Sequence, residues 1–402
     1  MTDRPPADLA RVDLAIVGAG PAGAAAALGA LAEAPDLRVL LLDRADFPRD
    51  KCCGDGIAPH VLDVLDEVGA GDAADGWKPV HRLELTGARA HATGRLTRPV
   101  WVIPRAVFDA RLVERAVAAG AQLVRHRVSH VRRDRESDGW VIDDRFAARV
   151  VVGADGAHSV VRAVAGLQPS TRRALALRGY APTPEHRRGL QIITFGDRRQ
   201  PSYAWSFDRG DGLSNVGYGE LLGTDGRDSE GVPTRKVLLE ELERLLPGAA
   251  TTGTRWRGHH LPLSGWRWVQ PDGSVLLAGD AAGLVNPMTG EGIYYAVATG
   301  VAAGRGAAQA IAADRPAGAG AEHRRVVRRL LGTHLRHTST VSLLSRSPRV
   351  VDAGIRGSAR SGRVFDDVVE IGLGRGLVTP RLAASLAAGL IAGLATRSAT
   401  DE

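Results

Sequence analysis

The segment that most constrains this chain is Gly18-Ala-Gly20-Pro-Ala-Gly23. It fits G-x-G-x-x-G and stands between an apolar run, Val12–Val17, and a small-residue run, Ala24–Ala34, closed by Pro35. Val39–Leu42 is a second apolar run. The pattern predicts strand, Gly-rich turn, helix and strand, and two strands joined through a helix lie parallel. Gly18 permits the tight turn, Gly20 lets the backbone approach a pyrophosphate, and Gly23 lets helix and strand pack closely. The phosphates then meet the free N–H groups and positive dipole end of the helix. Gly18, Ala19, Gly20, Pro21, Ala22 and Gly23 are therefore candidate dinucleotide contacts. Asp43 lies twenty residues after Gly23. A carboxylate there accepts from ribose hydroxyls and repels a 2′-phosphate. Arg44 is a further candidate beside it.

Two later segments narrow the dinucleotide. Val152-Gly-Ala-Asp155-Gly156-Ala-His-Ser159-Val-Val-Arg162 runs from a strand into Asp-Gly. Leu277-Ala-Gly279-Asp280-Ala-Ala-Gly283 is followed by Asn286-Pro287-Met-Thr-Gly290-Glu-Gly292-Ile293. The first resembles the Asp-Gly motif of flavin hydroxylases, with Asp155 at the cofactor. The second resembles the Gly-Asp motif of the same proteins, which places Gly279 and Asp280 at the ribityl chain of FAD. The helix start at Gly292 and Ile293 then aims N–H groups at the flavin, where they favour the negative charge of its reduced form. A plain NAD dehydrogenase lacks both segments. Together the three motifs resemble the FAD-dependent superfamily that includes p-hydroxybenzoate hydroxylase. The resemblance assigns Arg105, at a helix start, to the flavin, and Val128, in the strand before Asp-Gly, to adenine through its backbone. An Arg at a helix start is also commonplace on a surface.

The rest of the 402 residues organises around these points. From Ala174 to Tyr218 short β-branched and aromatic runs, Leu190–Phe195, Tyr203–Phe207 and Val216–Tyr218, are broken by Gly and Pro. They read as an antiparallel sheet, with one amphipathic helix over Pro233–Leu246. The expected architecture is α/β: a Rossmann-like FAD-binding domain, an inserted antiparallel-sheet substrate domain and a helical C-terminal region. The FAD-binding domain takes residues 9–75, 100–165 and 266–325, the substrate-binding domain 76–99 and 166–265, and the C-terminal region 326–402.

Two stretches narrow the family. Phe47-Pro-Arg-Asp-Lys51-Cys52-Cys53-Gly54-Asp55-Gly56-Ile57 resembles the Cys-Gly loop of the geranylgeranyl reductase family. Pro201-Ser-Tyr203-Ala-Trp205-Ser-Phe207, with Val216-Gly217-Tyr-Gly219, is similar to that family's aromatic signature, Asp208 standing where the family has Pro. The layout is closest to bacterial menaquinone side-chain reductases. The resemblance implies reduction of carbon–carbon double bonds in a prenyl chain by hydride transfer from reduced FAD. It places Cys53 and Gly54 next to the flavin. An alkene also needs a proton, for which Cys53, Tyr203 and a water are candidates. Cys53 is equally readable as a small packing residue. Tyr203 and Trp205 alternate with Ala204 and Ser206, so both face one side of the sheet. That side is either a wall for a prenyl chain or ordinary sheet core. Pro287 is a further substrate candidate. The alternative reading is a monooxygenase hydroxylating an aromatic or polyketide-type compound. Gly265-Trp266-Arg-Trp268-Val-Gln-Pro271 superficially resembles a flavin halogenase motif, but Gln270 replaces its Ile and no matching Lys motif is evident.

Composition bounds the partners. The net charge of +7 comes from Arg, Lys occurring only at 51, 78 and 236. With 4% aromatics and no basic block carrying stacking rings, nucleic acid is not expected. Cys52 and Cys53 are the two cysteines, and no spacing suits a metal site. The stretch Met1 to Arg11 has no apolar signal core, and the reading is a cytoplasmic protein that can touch a membrane surface. Leu382–Ala395 is apolar but too short to span, leaving a core helix or an in-plane anchor. His323–Arg346 reads as a basic amphipathic surface. The substrate is expected to be a hydrophobic small molecule or lipid. The electron donor is NAD(P)H or a ferredoxin-like carrier, because no second G-x-G-x-x-G is present.

Overall fold

The computed structural model describes residues 9–135, 137–223 and 232–398, with side chains to 391. The chain opens with β1 (Ala10–Val17), α1 (Pro21–Glu33) and β2 (Val39–Asp43). Pro21 starts α1 earlier than the small-residue run suggests, since Pro fits the first helical position. β3 (Gly56–Ile57), α2 (Pro59–Asp66), β4 (Val80–Thr86), β5 (His91–Val102) and α3 (Arg105–Ala118) follow. Next come β6 (Gln122–Arg125), β7 (Val131–Arg133), β8 (Trp140–Ile142), β9 (Phe146–Gly153) and α4 (Val160–Val164).

The second half adds β10 (Arg173–Pro182), β11 (Leu190–Phe195), β12 (Tyr203–Asp208), β13 (Leu213–Leu221), α5 (Arg235–Leu245) and β14 (Thr254–Pro262). β15 (Val275–Leu277), α6 (Ile293–Ala312), α7 (Ala319–Leu344), α8 (Pro348–Arg360), α9 (Gly362–Leu373) and α10 (Pro380–Ser398) close it.

One sheet runs β6-β2-β1-β9-β8-β7, with β15 also on β9. β1 is parallel to β2 and β9, and β15 is parallel to β9. The strand ends that carry the three motifs therefore sit side by side at one edge. α1 and α6 cover one face. They approach closely because their facing residues are small: a side chain on Gly304 would fall 1.9 Å from the Ala26 carbonyl oxygen.

The second sheet runs β14-β10-β13-β12-β11-β4-β5-β3. It is antiparallel except where β4 lies parallel to β11. α5 packs on one face through buried Leu238 and Leu242. α8 and α9 cover the β4–β5 end through Ile355 and Phe365.

α7 buries a stripe that includes His323, Val327, Leu331, His334, Leu335 and Thr338, while Arg325, Arg328, Arg329, Leu330 and Arg336 are exposed. α10 packs on α9 through Leu382 and along α8 through Ser385, Leu386 and Gly389, leaving Ala383, Ala384, Ala387, Ala388 and Ile391 exposed. It is thus a surface helix and not a core one; the side chains of 392–395 lie outside the described residues. Among the described residues no helix is long and apolar enough to cross a membrane.

Candidate active site

A single cavity of about 1380 Å³ runs between the two sheets. It exceeds the roughly 300–1,000 Å³ of a one-ligand pocket.

At one end lies the first motif. Gly18 has φ +96°, and a side chain there would meet the Ala154 carbonyl oxygen at 2.4 Å. One on Gly23 would fall 1.7 Å from the Gly18 carbonyl oxygen. Both positions therefore demand glycine. Gly20 caps α1, and Gly18, Gly20, Pro21 and Ala22 line the cavity. Ala19 and Gly23 do not; they shape the turn behind it. Asp43 Oδ2 accepts from the Ala19 N–H at 2.8 Å, and Arg44 is exposed at the rim.

Two guanidinium groups overlook this turn. A side chain on Gly20 would meet Arg49 at 3.4 Å and Arg105 at 3.9 Å. Arg105 donates to both oxygens of Asp109, at 2.5 and 2.8 Å, and Arg49 donates to one at 2.9 Å. Asp109 is fully buried. Burial opposes the charge of Arg105, but Asp109 outweighs it and raises the pKa. A fixed pair of cations above an open helix N-terminus is a binding geometry for phosphates.

The second and third motifs join this floor. Asp155 accepts from the Val160 N–H at 2.7 Å and Ser159 caps α4. Arg162 reaches the Ala281 carbonyl oxygen at 3.3 Å and so ties the two motifs together. Asp280 lines the cavity 3.3 Å from Lys51. Burial opposes its charge, but Lys51 and His259 outweigh that and lower its pKa. Gly279 lies behind it, its N–H bonded to Thr299. Gly292 and Ile293 line the cavity at the start of α6. Val128 lines it too, but from the irregular stretch between β6 and β7 and not from a strand, because β6 ends at Arg125. The glycine cradle, the ribose-side carboxylate, the paired cations and Asp280 fit FAD.

The Cys-Gly loop crosses from one sheet to the other. Buried Arg178 of β10 donates to Asp50 at 2.6 Å and to the carbonyl oxygens of Lys51 and Cys53 at 2.7 and 3.2 Å. Asn215 of β13 donates to the Cys53 carbonyl oxygen at 2.9 Å and to Asp55 at 2.7 Å, and accepts from Trp205 Nε1 at 2.8 Å. Tyr180 donates to Asp55 at 2.6 Å. The loop is thereby held so that Cys53 and Gly54 face the cavity. Burial pushes the Cys53 pKa up, which keeps the thiol protonated. Cys52 instead donates to the Arg257 carbonyl oxygen at 3.1 Å, and burial pushes it up to about 12.

Phe195, Tyr203, Trp205 and Phe207 form one aromatic wall, neighbouring ring centroids lying 5.9 to 6.4 Å apart. They line the cavity, as their shared sheet face predicts. The Tyr203 hydroxyl donates to the Thr289 carbonyl oxygen. Burial raises its pKa, which keeps the phenol protonated within the wall. Pro287 is a correction: it is buried outside the lining, its carbonyl oxygen accepting from Ser342 at 2.7 Å, because the chain turns there to bring Met288 to the surface of the cavity. Trp266 and Trp268 do not line it either, and Gln270 bonds the backbone of Leu277. Beyond the aromatic wall the lining becomes aliphatic, with Leu83, Leu85 and Leu96 facing Val351, Ile355 and Leu386.

Sequence reasoning missed Arg49, Asp109, Arg178, Asn215 and Glu291. Asp109, four residues after Arg105 in a helix, carried a readable pairing signal. Arg178 and Asn215 carried none, being 125 or more residues from the loop they hold.

Residues 11–183 match the family described as FAD binding domain. The chain is 31% identical over 307 residues to the menaquinone reductase of Mycolicibacterium smegmatis, covering 72% of this chain and 75% of that one. It is 31% identical over 319 residues to digeranylgeranylglycerophospholipid reductase 1 of Methanopyrus kandleri, covering 73% and 79%. A solved geranylgeranyl bacteriochlorophyll reductase-like structure from Thermoplasma acidophilum superposes with a TM-score of 0.69 at 18% identity, covering 94% and 96%; that likeness concerns the fold.

Proposed function

This chain belongs to the geranylgeranyl reductase family of FAD-dependent oxidoreductases, and on that premise we propose that it saturates double bonds in a prenyl chain carried by an isoprenoid lipid or a menaquinone. The observation that carries the reading is the continuity of the cavity from the dinucleotide cradle, past Cys53 and the aromatic wall, into an aliphatic tunnel. A linear apolar chain fills such a shape; a compact polar aromatic leaves its far end empty.

Bound FAD, once reduced, supplies two electrons as a hydride. The residues do the rest. Arg49 and Arg105 would hold the phosphates of FAD, Asp43 its ribose, and Asp280 its ribityl chain. Trp205, fixed by Asn215, and Cys53 would orient the alkene beside the cofactor and keep water out. The aliphatic wall sets which double bond stops there. The electrons come from NAD(P)H or a ferredoxin-like carrier.

Exposed Leu343 and Leu344 end α7, and exposed Ile391 lies on α10. They flank Val341, Ser345 and Leu386 of the tunnel, with Arg346 and Arg349 exposed nearby. An apolar rim with basic neighbours suits peripheral contact with an anionic membrane, from which a prenyl chain can be drawn.

The test is product mass. Reduced enzyme incubated without oxygen with a prenyl quinone or a geranylgeranyl lipid should add two hydrogens. An oxygen-dependent gain of one oxygen atom on an aromatic compound would instead support the monooxygenase alternative.

A further inference from the structure

Glu291 occupies the junction between the cofactor floor and the aromatic wall. A side chain on Gly290, before it, would meet the Tyr203 hydroxyl at 3.6 Å; one on Gly292, after it, would meet Asp280 at 3.7 Å. Glu291 lines the cavity. One carboxyl oxygen accepts from the Tyr294 N–H at 2.9 Å, which anchors the group on the first turn of α6.

Three ionisable groups around it are engaged with other partners, while the protonated Cys53 thiol and Asp155 also line the cavity. Asp280 is paired with Lys51. Asp55 lies outside the lining and receives Tyr180 and Asn215. The Tyr203 hydroxyl donates a hydrogen bond to the Thr289 carbonyl oxygen. We propose that Glu291 is the catalytic acid, delivering a proton to the alkene carbon that does not receive the hydride. The inference rests on the prenyl-reductase reading above. The hydride from reduced FAD forms one C–H bond, leaving oxidised FAD. The Glu291 O–H breaks as the second C–H bond forms, the C=C π pair being consumed. The Glu291 carboxylate then regains a proton from water.

The surroundings suit the role. Burial raises the Glu291 pKa to about 7, against the Tyr294 and Ile293 N–H groups and Arg105 on α3, which lower it. Cys53 and Tyr203 face it as neutral groups from the loop and β12, Tyr295 from its own helix, and Asp280 from the turn after β15 already compensated by Lys51. A general acid works best with a pKa near the operating pH.

Glu291→Gln keeps an oxygen for the Tyr294 N–H but has no proton to give. Flavin content and spectrum should match wild type. Anaerobic reoxidation of the reduced variant by a prenyl quinone should slow by about 10²-fold or more. The wild-type rate should fall about tenfold per pH unit above about 7, and the variant's rate should be flat. Glu291→Asp should restore part of the rate and the pH dependence. Infrared titration of the protein, with and without flavin, should show a protonated-carboxyl band vanishing through neutral pH in wild type and missing from Glu291→Gln. A variant that reoxidises at the wild-type rate with the wild-type pH profile, or that retains the band, overturns the assignment. If wild-type reduced enzyme is not reoxidised by any prenyl substrate, the functional reading itself fails and the acid role with it.

Discussion

Lys51 and Asp280, from the Cys-Gly loop and the Gly-Asp turn, meet at 3.3 Å across the cavity. One contact thus joins the family-specific loop to the cofactor motif. It makes the first prediction. Asp280→Ala should reduce bound flavin in purified protein at least tenfold, read from visible absorbance. Lys51→Met should weaken flavin less, since it leaves the ribityl acceptor in place but removes its compensating cation.

Gly23→Ala should be worse than its one methyl suggests. The new carbon would lie 1.7 Å from the Gly18 carbonyl oxygen, so the turn must move. The expected result is loss of FAD binding with a lowered melting temperature, measured by flavin fluorescence and circular dichroism.

Arg178→Met removes the cation that holds the Cys-Gly loop on β10. Removing one partner of a buried ion pair costs about 3–5 kcal/mol. Asp50 keeps 27% exposure, which puts this case at the low end. Urea unfolding should register the loss, and proteolysis within residues 47–57 should speed up.

Val351→Trp should narrow the aliphatic tunnel. Long prenyl substrates should lose kcat/KM relative to short ones while flavin content stays unchanged. Equal effects on all chain lengths would place the chain elsewhere.

Acid stability should carry the mark of His323. It is fully buried, Nε2 donates to the Leu277 carbonyl oxygen at 3.0 Å, and burial lowers its pKa from 6.5 to about 4. The unfolded chain therefore binds the extra proton first, so stability falls as pH drops from about 6.5 toward about 4. The slope is up to about 1.4 kcal/mol per pH unit. His323→Gln, which keeps a donor for Leu277, should flatten that part of the profile.

The cofactor end was readable because turn chemistry is local: Gly18, Gly23 and Asp43 announce themselves within one βαβ unit. The substrate end was less so. Tyr203 and Trp205 share a face by simple alternation, and the structure puts both on the cavity. Their wall is extended by β4 and β5, brought in by a parallel pairing with β11 more than 100 residues away, and the facing side comes from α8 and α10, which carry no motif. Long-range packing of that kind leaves no local signal. Pro287 sits beside a motif but away from the cavity, because the chain there turns its next residue, Met288, inward. Glu291 was in plain sight between two glycines, but its significance depends on burial, which sequence does not display.

The most direct measurement is anaerobic single turnover. Enzyme with reduced FAD is mixed with a prenyl quinone or geranylgeranyl lipid, and flavin absorbance is followed alongside product mass. The account predicts reoxidation without oxygen, one double bond saturated per flavin. Flavin that stays reduced until oxygen is admitted would contradict it.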